Sequence, residues 1–481
     1  MTLNGQGPSG LADLSAVLLE PEAFRRVPRH LAMRHDVLSI ASDGNVLTIA
    51  VPDLEDQEAL DRVRLATGMH VRALRAPRDA IRAKLAEAYD AEGQDEAPAV
   101  RALERMHERA IRANASDVHI EPIRGGGRIR ERLDGILHEV QRLPEELFTH
   151  VVSRVKLLAG MDIADKRAPQ DGRYTIDIEN RAIDARVSSM PTVFGEKLVV
   201  RLLDHQTRIP SLESLGMPAR TLERYRRLVH APHGFVVVCG PTGSGKTTTL
   251  YATLAERNID AQNLCSVEDP VEVRIPGVAQ VQVNARAGVT FASALRGFLR
   301  QDPNVIMVGE MRDAETASTA VSAALSGSLV LTTLHSNDAP RTLERLLELG
   351  ITRHSIAAGL TAIVAQRLVR RLCSECRSMR PIDSNAAIEF GVADTSLVYF
   401  GRGCGSCNGT GYCGRTGIFE FIFANDALRD AIARGASSVQ IAAIARETGY
   451  EPLLADGVRR ALAGETSFDE LRRVLTIETE S

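Results

Sequence analysis

One stretch near the middle of the chain constrains its fold more than any other: "GFVVVCGPTGSGKTTTLYATL". Phe235 to Cys239 is an apolar, β-branched run of the kind that forms a buried strand, and Lys246 opens a sequence suited to a helix. Between them Gly240, Pro241, Thr242, Gly243, Ser244, Gly245, Lys246 and Thr247 match G-x-x-x-x-G-K-[ST]. The glycines let the backbone curl so that its N–H groups face phosphate oxygens, at a helix N-terminus already favourable to anions. Lys246 would reach the β and γ phosphates of a nucleoside triphosphate such as ATP, and the Thr247 hydroxyl would coordinate Mg²⁺. Strand, glycines, Lys-Thr and helix agree, so the motif requires a mostly parallel α/β sheet around it.

Hydrolysis needs a metal ligand and a group that positions water, and acids at the ends of neighbouring strands usually supply both. "NLCSVEDPVE" places Glu268 and Asp269 at the end of a strand-like run, and "PNVIMVGEMRD" places Glu310 just after the apolar "VIMVG". Glu310 is thus a second candidate for magnesium, beside Thr247. "LVLTTLHSND" ends another buried strand with His335, whose place on the same presumed edge makes it a site candidate rather than a core histidine.

Around this centre the chain divides into several units, as its 481 residues require. Residues 1–90 alternate strand-like and helical runs and read as a small α/β unit without a catalytic motif. The acidic 91–99 stretch reads as a flexible linker. Residues 100–205 read as a second α/β domain, with Asp134-Gly135 a hairpin signal. A linker over 206–230 then leads to the phosphate-loop domain, 231–481. The formal net charge of -4 argues against a protein that holds nucleic acid along its surface. No apolar run approaches the roughly 18 to 20 residues that cross a bilayer, and no secretory signal is visible, so a cytoplasmic location is expected.

Five of the seven cysteines crowd into 370–415. In a reducing compartment disulfides rarely persist. Cys373-x2-Cys376 and, 27 residues later, Cys404-x2-Cys407 present two thiolate pairs at the spacing of a tetrahedral Zn²⁺ site. Four thiolates leave no open position for water, so the expected role is structural. Cys413, the odd one, could compete as a ligand, although a free thiol is the simpler reading.

The segments "GPTGSGKTTTLY", "VEDPVE", "LRGFLRQDPNVIMVGEMRDAETA" and "LVLTTLHSNDA" resemble, in order and spacing, the Walker A, Asp box, Walker B and His box of the secretion ATPase superfamily. "ASDVHIEP", "RIRERLDGIL", "PQDGRY" and "ARVSSMPTVFGEK" resemble the second domain of its type II secretion and type IV pilus assembly members, and the tetracysteine segment resembles theirs too. Ser328 departs, since relatives often have histidine there. The resemblance implies a RecA-like ATPase domain preceded by a PAS-like α/β domain and a small N-terminal α/β domain. It further implies a homohexameric ring, peripheral on the inner membrane, that engages a platform protein and a bitopic docking protein there. Glu268 and Glu310 would share magnesium handling and water activation, and His335 would sense the γ-phosphate. Arg173, Arg186 and Arg201 would close over the phosphates. Arg128, Arg130 and Arg132, alternating on one strand face, would meet phosphate, a neighbouring subunit or solvent. The function expected is ATP hydrolysis that powers type II secretion, with pilus assembly the nearest alternative. A DNA-translocating motor and a nucleotide-binding scaffold are more distant ones.

Overall fold

The computed structural model describes residues 14, 17, 19–178, 181–203, 209–257 and 259–475. An N-terminal sheet holds β1 (Leu38–Asp43), β2 (Val46–Val51) and β3 (His70–Arg75). A second sheet holds β4 (Asp117–Ile123), β5 (Gly126–Leu133), β6 (Ile136–Pro144), β7 (Gln170–Ile178), β8 (Arg181–Thr192) and β9 (Gly195–Leu203). Its order is β6-β5-β4-β9-β8-β7 and every pairing is antiparallel. Asp134 and Gly135, at φ 47° and 88°, make the two-residue turn between β5 and β6, as a type I′ hairpin requires.

The third sheet carries the phosphate loop. It comprises β10 (Gly234–Cys239), β11 (Leu264–Glu268), β12 (Val278–Gln282), β13 (Val305–Val308), β14 (Leu329–Leu334), β15 (Leu360–Leu372) and, after a two-stranded ribbon of β16 (Arg377–Pro381) and β17 (Leu397–Gly401), β18 (Tyr412–Phe423). The order is β12-β11-β13-β14-β10-β15-β18, parallel except for β15 against β18. The side chains of β10 alternate between two cores: Phe235, Val237 and Cys239 face one, Val236 and Val238 the other. A strand buried on both faces is continuously apolar, which is why "FVVVC" is. Successive connections run to β11, β13 and β14 on one side of β10 and then cross to β15 on the other, so β10 is the switch point of the sheet. A crevice opens there, beyond the carboxyl ends of the strands.

Two expected linkers are structured. Residues 91–99 lie inside one helix, Arg78–Arg112, that starts in the N-terminal core with Ile81 and Leu85 and ends in the second core with Leu103, Met106 and Ala110. Ala91, Glu92, Gln94, Glu96 and Ala97 are good helix formers, but Gly93 and Pro98 are not, so local propensity alone does not account for the helix here; its two ends are anchored in folded cores. The described part of 206–230 belongs to the phosphate-loop domain. Leu222, Tyr225 and Val229 of helix Ala219–Val229 are buried in its core, at the spacing of one helix face, and the Tyr225 hydroxyl meets Thr253 Oγ1 at 2.9 Å.

The second domain also buries a charge. Lys156 is fully enclosed, and its Nζ donates to Glu196 Oε1 at 2.6 Å and to the Asp165 carbonyl at 2.8 Å. Lys156→Ala leaves Glu196 buried without its cation, so we expect it to cost about 3–5 kcal/mol of stability in this domain. Denaturant unfolding of Lys156→Ala checks this; a midpoint equal to wild type would contradict it.

Candidate functional site: a cleft between two domains and a cysteine cluster

The phosphate loop leaves β10 at Gly240 (φ 152°) and enters helix Lys246–Ala255 through Gly245 (φ 86°). Both glycines are forced by a neighbour as well as by φ. A Cβ on Gly240 would stand 2.6 Å from the Gln366 carbonyl, and one on Gly245 would stand 2.8 Å from Gln366 Nε2. Gln366, on β15, is buried behind the loop, and its Oε1 accepts the Thr249 hydroxyl at 2.7 Å. Lys246 Nζ donates to the carbonyls of Gly240 and Pro241 at 2.7 and 2.9 Å. Burial lowers its pKa. Ser244 Oγ is buried and has no hydrogen-bond partner among the described residues. A concave loop with an enclosed ammonium and a spare hydroxyl donor fits a polyphosphate.

Because β10, β11, β13 and β14 run parallel and in register, the residues after their last strand positions converge on the same edge. Gly240, Lys246, Thr247, Glu268, Glu310 and His335 all line or border one cleft of about 820 Å³. The two acids differ in surroundings. Glu268 is 2% exposed, and both its oxygens are engaged: Oε1 accepts from Ser266 Oγ at 2.5 Å and Gln280 Nε2 at 3.1 Å, and Oε2 accepts from the Tyr251 hydroxyl. Glu310 sits closer to the open cleft, bridged to Arg312, with His335 Nε2 at 3.8 Å. Burial, and then the nearby Lys246, lower the His335 pKa, although Glu310 pulls the other way; the imidazole is therefore favoured in its neutral form. Thr247 and Glu310 offer hard oxygen donors in one cleft, as Mg²⁺ requires.

The far wall comes from the second domain and from β18. Arg201 and Asp134 line the cleft opposite the phosphate loop, with Gly414, Arg415, Thr416 and Gly417 beside them. Arg173, Arg186 and Arg201 are register partners across β7, β8 and β9, so they form one cross-strand row; Arg201 alone of the three lines the cleft, while Arg173 and Arg186 are exposed. Glu272 feels that row. Burial and Glu268 raise its pKa, and Arg201 and Arg186 oppose the rise. Arg128 and Arg130 are turned inward instead, onto buried Glu121, which also meets Lys197 Nζ at 2.8 Å. Burial opposes ionisation of Glu121, but hydrogen bonds from Arg130, Lys197 and Arg128 outweigh it and hold the carboxyl at about 2.

The paired cysteines also come together. Cys373 follows β15, and Cys404 and Cys407 follow β17, so the β16–β17 ribbon folds one knuckle back on the other. The four Sγ atoms lie within 4.8 Å of one another, with Cys373–Cys404 at 3.8 Å, Cys376–Cys407 at 3.9 Å and Cys404–Cys407 at 3.7 Å. Sulfurs about 2.3 Å from a tetrahedral zinc would stand about 3.8 Å apart, so the donor set fits that ion. Cys407 is buried, which disfavours the thiolate, yet the backbone N–H groups of Cys404 and Gly411 donate to its sulfur and bring its pKa down to about 6. Cys413 is exposed and outside the cluster.

Comparison with known proteins gives the family. Residues 92–473 match the family described as type II/IV secretion system protein, and residues 9–95 match the MshEN domain. The chain belongs to the type II/IV secretion system protein family. It is 38% identical to the type IV pilus assembly ATPase PilB of Myxococcus xanthus (strain DK1622) over 489 residues, covering 94% of this chain and 86% of that protein. It is 45% identical to the type II secretion system protein E of Dickeya dadantii (strain 3937) over 383 residues, 80% of this chain and 77% of that one. Its fold is similar to that of the Legionella pneumophila ATPase DotB, with a TM-score of 0.57 at 21% identity over 77% of this chain and 94% of DotB. As a member of this family the chain is a P-loop ATPase with a nucleotide-binding, α/β, RecA-like ATPase domain, and a secretion or pilus ATPase.

Within this ATPase, sequence reasoning did not find Gln366, Tyr251, Arg312, Glu272, Asp134 or Arg415. Glu272 stood inside the quoted "VEDPVE", and Asp134 inside the hairpin signal, so both carried a signal that pointed elsewhere. Gln366 and Arg415 lie on strands that reach the cleft only because β15 and β18 cross to the other side of β10.

Proposed function

We propose that this secretion-family ATPase powers type II protein secretion. It would act as a homohexameric ring at the cytoplasmic face of the inner membrane, where it drives pseudopilus assembly through a platform protein. The observation that carries an ATP-driven mechanical role is the cleft itself. Lys246, Glu268, Glu310 and His335 from one domain face Arg201 from another, so closing on a nucleotide and opening after hydrolysis would move the two domains against each other. Bound Mg²⁺ would neutralise phosphate charge, held by Thr247 and Glu310. Lys246 would bind the phosphates, Glu310 would orient the attacking water, and His335 would report the γ-phosphate. Arg173 and Arg186 would join Arg201 only after a closing movement, or would serve a neighbouring subunit. Zn²⁺ would be held by Cys373, Cys376, Cys404 and Cys407.

The 45% identity to a type II secretion system protein E over 80% of this chain supports the secretion reading. A second reading, type IV pilus assembly, is favoured by the PilB relative, whose similarity extends over 94% of this chain and so includes the N-terminal unit. No nucleic-acid partner is proposed. Among the described residues no helix is long and apolar enough to cross a membrane. The N-terminal unit would dock onto the cytoplasmic part of a bitopic protein.

Deletion of the gene in its own host, followed by assays of exported protein and of surface pili, tests the choice. Loss of secretion with pili intact is the expected result. Loss of pili with secretion intact would overturn it in favour of the second reading. Co-purification of the full-length protein with inner-membrane proteins should yield a polytopic platform component.

A further inference from the structure

In the sequence Asp134 carries the signal of a turn residue, yet it does more than close a hairpin. From the β5–β6 turn its Oδ2 accepts the Gly414 N–H at 2.8 Å, and its Oδ1 lies 3.4 Å from Arg415 Nε. Gly414 and Arg415 open the inner part of β18, in the motor domain, and Asp134 belongs to the second domain. The contact joins a hairpin turn to an irregular position of β18, both with left-handed backbone, since Asp134 has φ 47° and Gly414 φ 72°. Asp tolerates that conformation through its short polar side chain and Gly through its missing Cβ.

From this tip a polar chain leads back to the cleft. The carbonyl of Gly135, next to Asp134, accepts from Arg132 Nη1 at 3.1 Å. Arg132 Nε lies 3.2 Å from Asp117 Oδ2, and Asp117 Oδ1 accepts from Arg201 Nε at 3.1 Å. Asp117 is buried, while the Arg201 side chain is two-thirds exposed, so the carboxylate is the fixed point that aims the arginine into open space. Arg132, Asp117 and Arg201 are also direct register partners across β5, β4 and β9. A shift of the hairpin tip is therefore passed to Arg201 through one row of the sheet.

We infer that Asp134 is a positioning residue for ATP hydrolysis: it latches the β5–β6 turn to Gly414 and Arg415 and so holds Arg201 over the nucleotide cleft. This rests on the reading of the cleft as the ATP site and of Arg201 as a phosphate-facing group. A group that aims another affects the chemical step more than substrate binding, because the phosphate loop and Lys246 bind the nucleotide independently of it.

The test uses the purified full-length protein, with steady-state ATP turnover and thermal unfolding measured side by side. D134A is expected to lower kcat about tenfold, to leave KM for ATP within about twofold, and to keep the wild-type Tm. D134N keeps the turn conformation and an acceptor for the Gly414 N–H, so most of the activity should return. R201A should lose at least as much kcat as D134A, and the double variant D134A/R201A should be no slower than R201A alone, because the two act through one chain. Wild-type turnover in D134A, losses that multiply in the double variant, or a loss carried by KM or Tm would each overturn the inference. K246A separates the two levels: if it still hydrolyses ATP, the reading of the cleft fails, whereas an inactive K246A beside an unaffected D134A defeats the latch alone.

Discussion

Replacing Lys246 with alanine is expected to abolish ATP turnover, with a loss of at least about 10²- to 10³-fold. The side chain is enclosed at the base of the loop, with its Nζ on the carbonyls of Gly240 and Pro241, where a polyphosphate would exchange those acceptors for charged oxygens. In so sheltered a position a cation facing developing negative charge is worth more than in water, and alanine leaves nothing in its place. Glu310→Gln should lose turnover to a similar degree but for a different reason. It keeps the size of the side chain and its contact with Arg312 while removing the charge that would hold metal and polarise water, so nucleotide affinity should survive. Glu268→Gln is expected to lose less at the chemical step, because both Glu268 oxygens already serve Ser266, Gln280 and Tyr251. Turnover and nucleotide affinity, measured on all three variants, check the ranking. Equal background turnover in wild type, Lys246→Ala and Glu310→Gln would mean that the cleft is not the site of hydrolysis.

The second large effect is expected at the cysteine cluster. Wild-type protein should carry about one zinc per chain, and Cys373→Ser or Cys404→Ser should lose it. Structural zinc in small folding units is worth about 10–16 kcal/mol. That is as much as the whole stability of an ordinary domain, about 5–15 kcal/mol. The cysteines sit where the ends of the β16–β17 ribbon meet, beside backbone bonds from the Cys373 N–H to the Gly411 carbonyl at 3.0 Å and from the Arg402 N–H to the Cys376 carbonyl at 3.2 Å, while Ile382 and Val398 anchor the ribbon in the core. Loss of zinc should therefore expose residues 373–413 to proteolysis before the rest of the motor domain unfolds. Elemental analysis and limited proteolysis of the two variants test this. Zinc content unchanged by both substitutions would remove the cluster as a metal site.

Local chemistry made much of the site readable. The phosphate loop, Glu268 at the end of β11, Glu310 after β13, His335 after β14 and the two Cys-x2-Cys pairs each sit in a short stretch whose pattern names its own surroundings. What was not readable depends on which strands become neighbours. Gln366 backs the phosphate loop because β15 lies beside β10, more than a hundred residues away in sequence. Asp134 meets Gly414 across 280 positions. Arg128 and Arg130 spend their charge on Glu121, which only the pairing of β4 with β5 reveals. Residues 91–99 differ for another reason: low hydrophobicity suggests flexibility, whereas a helix between two anchored ends needs no apolar face in its middle.

That helix has a mechanical meaning. Thirty-five residues at about 1.5 Å each make a rod about 50 Å long, rooted at one end in the N-terminal core and at the other in the core that presents Arg201. If such a rod stays straight, a tilt of about 10° at its base displaces the far end by about 9 Å, several times the movement needed to close a side chain over a phosphate. Its stiffness would be lowest near Gly93 and Pro98, where the helix has no Cβ and loses a backbone N–H donor.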